Sequence, residues 1–565
     1  MTKNESHLLD TAFLRAETPM FSDVMQRVQN DETLSETRRR DLLSGLSRVA
    51  KALNRAPQSL PADPKWLQPR LSAISPAALR LSAKSWSNAV SDARAALVRC
   101  TIVERRIAHV DDLSPEWRKL WQCVLASRDL GLQPPLRRFV YFLSRQGVSP
   151  KEACEEQALA YRDALRLNEI SKSPEVSYRH AVYAWNRAVG ALPEWPRQRL
   201  ALPSRVRRVS LPLEAFPESF QSDLDRFVAS LERPDLLDPL ARVAPLRPAT
   251  IREYRHGLVR FASALVEVGT PAEQIDRISH LVQPQQAERG LRHLLAKNGH
   301  QTSATISHVA HLLRISAKQY VRVGEEHQKT LDRMARRLAL KRQNGMTAKN
   351  RERLRALEDR ATLRRLLLLP QQLVDRADRA RTAYPTDLAR EDAIAIAILL
   401  YCPIRRHNLA GINIDRNFQR PGDGRVFLVF EPNEVKNQKR IEFELPSSVV
   451  KMIDRHLATR APRLCPPGTP WLFPKRDGTR PMHPDQLSDR VKRRIRREIG
   501  LTMNMHLFRH LAAMLWLEAH PGAYEAVRRL LGHSSLSRTL NAYAGCEAGT
   551  ATRLFSKVID DARNR

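Results

Sequence analysis

MHLFRHLAAMLWLEAHPGAYEAVRRLLGHSSLSRTLNAYAG, residues 505 to 545, holds His506-x-x-Arg509-His510, then Leu531-Gly532-His533, then Tyr543. Spacing of i and i+3 puts His506 and Arg509 on one face of a helix, so both can reach one phosphate. The planar fork of arginine suits two non-bridging phosphate oxygens, a geometry lysine does not reproduce. His506 can hydrogen-bond a nucleophile or the phosphate and exchange a proton near neutral pH. Two histidines and an arginine ahead of a tyrosine suggest phosphate chemistry with a protein nucleophile. A competing reading makes His506 and His510 metal ligands at i and i+4. No nearby Glu or Cys completes that set, so no metal is expected.

Working back from this stretch, Tyr401-Cys402-Pro403-Ile404-Arg405-Arg406-His407-Asn408-Leu409 follows an apolar segment that reads as a buried helix. Its arginine pair is a second source of phosphate ligands. Val426 to Phe430 and Ile441 to Leu445 read as two strands, with alternation clearest in Ile441-Glu442-Phe443-Glu444-Leu445. Between them Lys436 and Lys439 lie on a basic turn. The bland alternatives are a surface arginine, a solvated turn and a half-buried core tyrosine.

In order and spacing these segments resemble the catalytic end of the tyrosine recombinase (phage integrase) family. The resemblance covers roughly residues 215 to 560, and its specific motifs lie within 405 to 543. It selects Arg405 over Arg406, through Leu409 and Ile412, and Lys436 over Lys439, through the register to the second strand. Tyr543 stands ten positions after His533 and is selected as nucleophile. Tyr524 precedes the glycine-histidine turn and is the poorer choice. The family often carries an acid where this chain has Asn408, which weakens the expected brace on Arg405. What the resemblance implies is a 3′-phosphotyrosyl intermediate. Arg405, Arg509 and His533 would stabilise the phosphoryl oxygens, Lys436 would protonate the leaving 5′ oxygen, and His506 would assist proton transfer from Tyr543. No cofactor is needed for such chemistry. The expected partners are double-stranded DNA and three further protomers, a homotetramer on two DNA sites, with accessory recombinase or DNA-bending proteins in addition. The expected role is site-specific recombination for a mobile genetic element. A type IB topoisomerase-like enzyme shares the chemistry, and a non-catalytic DNA-binding regulator shares the scaffold.

The rest of the chain agrees with a polyanionic partner. Lys and Arg number 94 against 61 Asp and Glu, a net charge of +33, spread through Arg38 to Arg40, Arg205 to Arg208, Arg333 to Arg342 and Lys492 to Arg497. A field of one sign over several domains suits nucleic acid. The six cysteines form no CxxC pair, which argues against a zinc ribbon or a disulfide framework. No apolar run suits a membrane span, and the polar N-terminus lacks the plan of a signal peptide. A cytoplasmic, nucleoid-associated protein is expected.

A length of 565 residues exceeds one core, at roughly 150 residues per domain. The expected fold is mainly α, with a small β-hairpin or sheet in the C-terminal domain. Residues 1–200 read as a helical region of unknown role, 217–345 as a helical core-binding domain, and 361–565 as a mixed α+β catalytic domain. In the middle part, Thr250 is expected to cap a helix whose apolar face is Ile251, Tyr254, Leu258, Phe261 and Leu265.

Overall fold

Apolar spacing along this chain generates four separate cores, resolved in a computed structural model. The structure describes residues 17–105, 109–129, 131–202, 210–340, 345–380, 383–462, 464–543 and 548–563. One core is built from Phe21 to Val103 with Ile170, and a second from Leu113 to Leu200. The third runs from Phe216 to Leu331 and the fourth from Met346 to Tyr543. The described residues of 204–343 form one compact unit, and those of 1–203 and 344–565 form the other. Among the described residues no helix is long and apolar enough to cross a membrane.

The described residues of 204–343 are helical, with connecting turns. The expected face of Ile251, Tyr254, Leu258, Phe261 and Leu265 is buried. The helix start differs from expectation: it runs Pro248–Glu267 with Arg247 as N-cap, and Thr250 already lies inside. Proline explains the shift. Its φ is pre-set for the first helical position, and the amide it lacks has no partner there anyway.

The C-terminal part carries the sheet. Its elements are α1 (Arg360–Arg379), α2 (Ala383–Tyr401), α3 (Arg406–Ala410), α4 (Ile414–Asn417), β1 (Phe418–Gln419), β2 (Phe427–Phe430) and β3 (Ile441–Glu444). There follow α5 (Ser447–Thr459), α6 (Pro484–Ile499), α7 (Met505–Ala519), α8 (Tyr524–Leu531), α9 (Leu536–Tyr543) and α10 (Ala548–Arg563). The strands form one antiparallel sheet in the order β1-β2-β3, with Phe427 opposite Glu444 and Phe430 opposite Ile441. The alternation read in β3 is real: Ile441 and Phe443 are half-buried while Glu442 and Glu444 are exposed. β1 is too short to leave a periodic signal.

Two polar devices hold this domain together. Leu487, Val491, Ile495 and Ile499 bury one side of α6. Beside that stripe, Arg490 and Arg494 turn inward to acids of α2. Arg490 meets Glu391 at 2.8 Å and Asp392 at 2.6 Å, and Arg494 meets Asp392 at 2.7 Å. Glu391 is 0% exposed and Asp392 2%, so each charge depends on its partner. The second device joins α6 to the N-terminal helices. Ser75 donates to the Arg496 carbonyl at 2.6 Å, and Arg365 reaches the carbonyls of Ala77 and Glu498.

Candidate active site

The predicted residues arrive from four segments. Arg405 is the N-cap of α3, in extended backbone, and is half-buried. Lys436 stands exposed on the turn between β2 and β3. His506 and Arg509 lie in the first turns of α7, whose N-cap Asn504 accepts from the Leu507 amide at 3.1 Å. His533 follows α8, and Tyr543 ends α9.

Gly532 aims His533. It takes φ +59 at the end of α8, where its amide donates to the Arg529 carbonyl and that of His533 to the Arg528 carbonyl. This paired arrangement is the Schellman stop, which favours glycine at the left-handed position. The His533 Nδ1 then lies 2.9 Å from the hydroxyl of Thr539, which is fully buried. Tying up Nδ1 leaves Nε2 as the nitrogen for a phosphate.

Arg509 is 4% exposed and spans two segments. Its Nη1 donates to the Pro403 carbonyl, just before Arg405, and its Nη2 to the Leu531 carbonyl at 2.6 Å. Five N–H donors make this compatible with a further anion, because two serve the backbone and three remain. Burial and then the neighbouring Arg405 pull the guanidinium pKa down to about 10, with Tyr543 opposing the shift. Burial also lowers that of Arg405, followed by the charge of Arg538 on α9. No carboxylate pairs with Arg405 or Arg509 among the described residues. The site concentrates positive charge and leaves it uncompensated.

The histidines respond to that field. Burial and then Arg509, Arg405, Arg538 and His506 bring His533 down to about 4. His506 is at the surface, yet enough protein surrounds its ring for desolvation, then Arg509 and Arg405, to lower its pKa. At neutral pH these rings are uncharged and can serve as acceptors or donors.

Tyr543 is 2% exposed. Its ring lies parallel to that of His533, with centroids 6.2 Å apart. Its hydroxyl meets His510 Nδ1 at 3.0 Å. His510 is therefore a site residue that the sequence reading passed over, having weighed it as a metal ligand alone. Among the described residues no group of three His, Cys, Asp or Glu side chains is arranged to hold a metal. His506 stacks edge-to-face on His510 at 4.6 Å.

Two asparagines, also unread in the sequence as positioning groups, hold the turn of Lys436. Asn408 is 8% exposed and donates to the Glu434 carbonyl at 3.0 Å. Asn437 donates to the Gly532 carbonyl at 2.6 Å. An acid in place of Asn408 has no N–H to give that carbonyl. The departure at 408 is thus accounted for by the turn it fastens.

Residues 371–548 match the phage integrase family model. The chain is similar, at 16% identity, to the XerH site-specific recombinase bound to difH substrate, over 59% of this chain and 87% of that one, with a TM-score of 0.35. The Tn1549 transposon integrase in complex with circular intermediate DNA also has 16% identity, over 59% and 99%, with a TM-score of 0.34. A lambda integrase tetramer bound to a Holliday junction has 15%, over 64% and 86%, with a TM-score of 0.33. No curated protein matches. The family match is thus to one segment of the chain, a phage integrase domain over residues 371–548.

Proposed function

We propose that this chain is a site-specific recombinase that cuts and rejoins double-stranded DNA through a 3′-phosphotyrosyl intermediate formed on Tyr543. The observation that carries the reading is the pair of uncompensated guanidiniums, Arg405 and Arg509, beside a tyrosine whose hydroxyl is bound by a histidine. Attack on a phosphodiester builds charge at the equatorial, attacking and leaving oxygens. Arg405, Arg509 and the Nε2 of His533 stabilise the equatorial oxygens, and His506 assists proton transfer from Tyr543. Lys436, exposed on its fastened turn, protonates the leaving 5′ oxygen. Tyr543 conserves the bond energy as a covalent ester, so rejoining needs no nucleotide. The step requires that Tyr543 be uncovered when DNA binds.

In this reading residues 217–345 are the core-binding domain and 361–565 the catalytic domain. Four protomers act on two DNA sites, with accessory recombinase or DNA-bending proteins, in the cytoplasm and close to the nucleoid. The substrate is the end or target of a mobile genetic element. The net charge of +33 supports a long contact with DNA.

Covalent capture in the native host tests the proposal. Denatured protein is recovered with its attached DNA, which is sequenced for wild type and Tyr543→Phe. Discrete junctions found with wild type alone are expected. Scattered junctions that depend on Tyr543 would favour the topoisomerase-like alternative. Empty results from both proteins, under conditions where the element moves, would put the non-catalytic regulator ahead.

A further inference from the structure

We infer that the N-terminal part of the chain holds a pocket for a nucleotide, a planar heterocycle joined to a phosphate. Two helix faces build it. In helix Gln133–Arg145 the residues Arg138, Tyr141, Phe142 and Arg145 fall at i, i+3, i+4 and i+7. In helix Glu155–Asn168 the residues Tyr161, Ala164, Leu165 and Asn168 repeat that spacing, so each set shares one face. Both faces line one cavity of about 320 Å³, bounded also by Arg94 of helix Ala83–Arg99 and by Glu104 and Arg105. That volume lies at the lower end of small-molecule sites, about 300–1,000 Å³, and is too small for a duplex. None of the residues assigned to cleavage lines it.

The charge of the walls selects an anion. Five arginines, Arg94, Arg105, Arg137, Arg138 and Arg145, line the cavity against two acids, Glu104 and Glu169. The acids set geometry without cancelling the charge. Glu169, 2% exposed, fixes Arg138 at 2.7 Å. Glu104 holds Arg145 by its carboxylate and Arg94 by its carbonyl, the latter at 2.8 Å. A guanidinium keeps N–H donors beyond one such contact, in a fork that fits phosphate.

The carbon surface between the arginines selects a ring. Phe142 and Tyr161 meet at 5.4 Å between centroids, and the Arg137 guanidinium stands over the Tyr141 ring at 5.8 Å. Aromatic faces and arginine planes are the surfaces on which nucleobases stack. Asn168 offers a base edge. It accepts from the Glu104 amide at 2.7 Å and donates to the Ala164 carbonyl at 3.0 Å. One lone pair and one N–H of the same amide remain, the pair that reads a heterocycle. Tyr141 is 6% exposed and its hydroxyl is buried without a hydrogen-bond partner, a cost that a ligand acceptor seated at this wall removes. An inorganic anion leaves the rings unused, and an uncharged apolar ligand leaves the arginines unanswered.

A second cavity, of about 630 Å³, shares Arg137, Arg138 and Tyr161 with the first and adds Lys172, Ser173 and His180. The same chemistry therefore has two sources: a free mononucleotide, or one unpaired nucleotide of a DNA strand whose backbone continues through the second cavity.

For the test, the full chain is irradiated with 5-iodo-dUMP, or with single-stranded oligothymidylate carrying one 5-iodouracil. The base cross-links to adjacent aromatic rings, and peptide mass spectrometry locates the adduct. A saturable adduct within residues 133–168 is expected. If 5-iodo-dUMP forms it, the ligand is a free nucleotide; if the strand alone forms it, the ligand is an unpaired nucleotide of DNA. Arg137→Ala, at an exposed position, should raise the half-saturating concentration about 10–150-fold, the loss of one charge-assisted contact. Ala164→Phe fills the cavity and should abolish labelling. Arg48→Ala, exposed and outside the cavity, should leave it unchanged. Melting temperatures establish that each variant is folded, and Arg137→Ala decides if Ala164→Phe is not.

No adduct within 133–168 from either probe would overturn the inference, as would wild-type labelling in either folded cavity variant. Equal labelling by the nucleoside 5-iodo-deoxyuridine would remove the phosphate from the reading. Displacement by inorganic phosphate as readily as by dUMP would reduce the site to an anion patch. Either result also overturns the nucleotide pocket.

Discussion

Replacing Arg509 by lysine separates two jobs that this side chain performs at once. Its fork joins the carbonyl of Pro403, ahead of α3, to that of Leu531, at the end of α8. A lysine ammonium is a compact charge that satisfies one of those carbonyls and leaves the other buried without a donor. One charge-assisted hydrogen bond in this setting contributes about 1.5–3 kcal/mol. For a domain of this size each kcal/mol shifts the melting temperature by about 2–4 °C, so Arg509→Lys lowers it by roughly 3–12 °C. Calorimetry on the whole protein should show the loss in the transition of the unit that contains residues 344–565. Catalysis should fall further than stability accounts for. At a temperature where the variant is folded, covalent product should form about 10²–10³-fold more slowly, the usual effect of losing one preorganised oxyanion donor. A variant that melts with wild type would refute the clip. A variant that cleaves at the wild-type rate would refute the need for a planar fork at the phosphate.

Other perturbations follow from the same geometry. Gly532→Ala puts a side chain at φ +59 and a Cβ 2.8 Å from the terminal methyl of Ile441. It should cost about 1–2 kcal/mol, read as a shifted urea midpoint, and slow cleavage by misaiming His533; an unchanged midpoint would contradict the assigned turn. Asp392→Ala leaves Arg494 with Glu498 alone at 3.4 Å and Arg490 with Glu391 alone. A loss of about 3–5 kcal/mol is expected, and a change below 1 kcal/mol would show that the network contributes little. Lys436→Ala should slow cleavage of an ordinary phosphodiester about 10²–10⁴-fold, with recovery when sulfur replaces the leaving 5′ oxygen, since a thiolate departs without an acid. If sulfur brings no recovery, Lys436 is not the acid. For pH, His510 and His533 are held near 4 in the folded chain against about 6.5 when unfolded. The unfolded state then binds more protons below pH 6.5, so these residues make stability fall from there toward pH 4. A melting temperature that rises on acidification over that range would contradict their burial.

Local order made part of this protein legible from its residues. The helical spacing of Ile251, Tyr254, Leu258, Phe261 and Leu265 and the alternation of Ile441 to Glu444 report a helix face and a strand face without knowledge of any partner. Charge composition needs no fold at all. The shared face of His506 and Arg509 follows from helical geometry, and the left-handed stop at Gly532 suits the residue found there. Where two local signals competed, as Pro248 did with Thr250 for the start of a helix, the proline's preorganised backbone won.

Tertiary structure decided which polar groups meet. His506 and His510 sit one turn apart on α7, and their spacing is silent about which receives Tyr543; the packing of α9 selects His510. Asn437 finds its acceptor 95 residues away at Gly532, and Arg509 reaches Pro403 across 106. Hydrogen bonds are short-ranged and directional, so a side chain's partner depends on ångström-level placement of distant segments. Apolar burial rewards a whole face and leaves a period in the sequence, whereas a single polar contact leaves none.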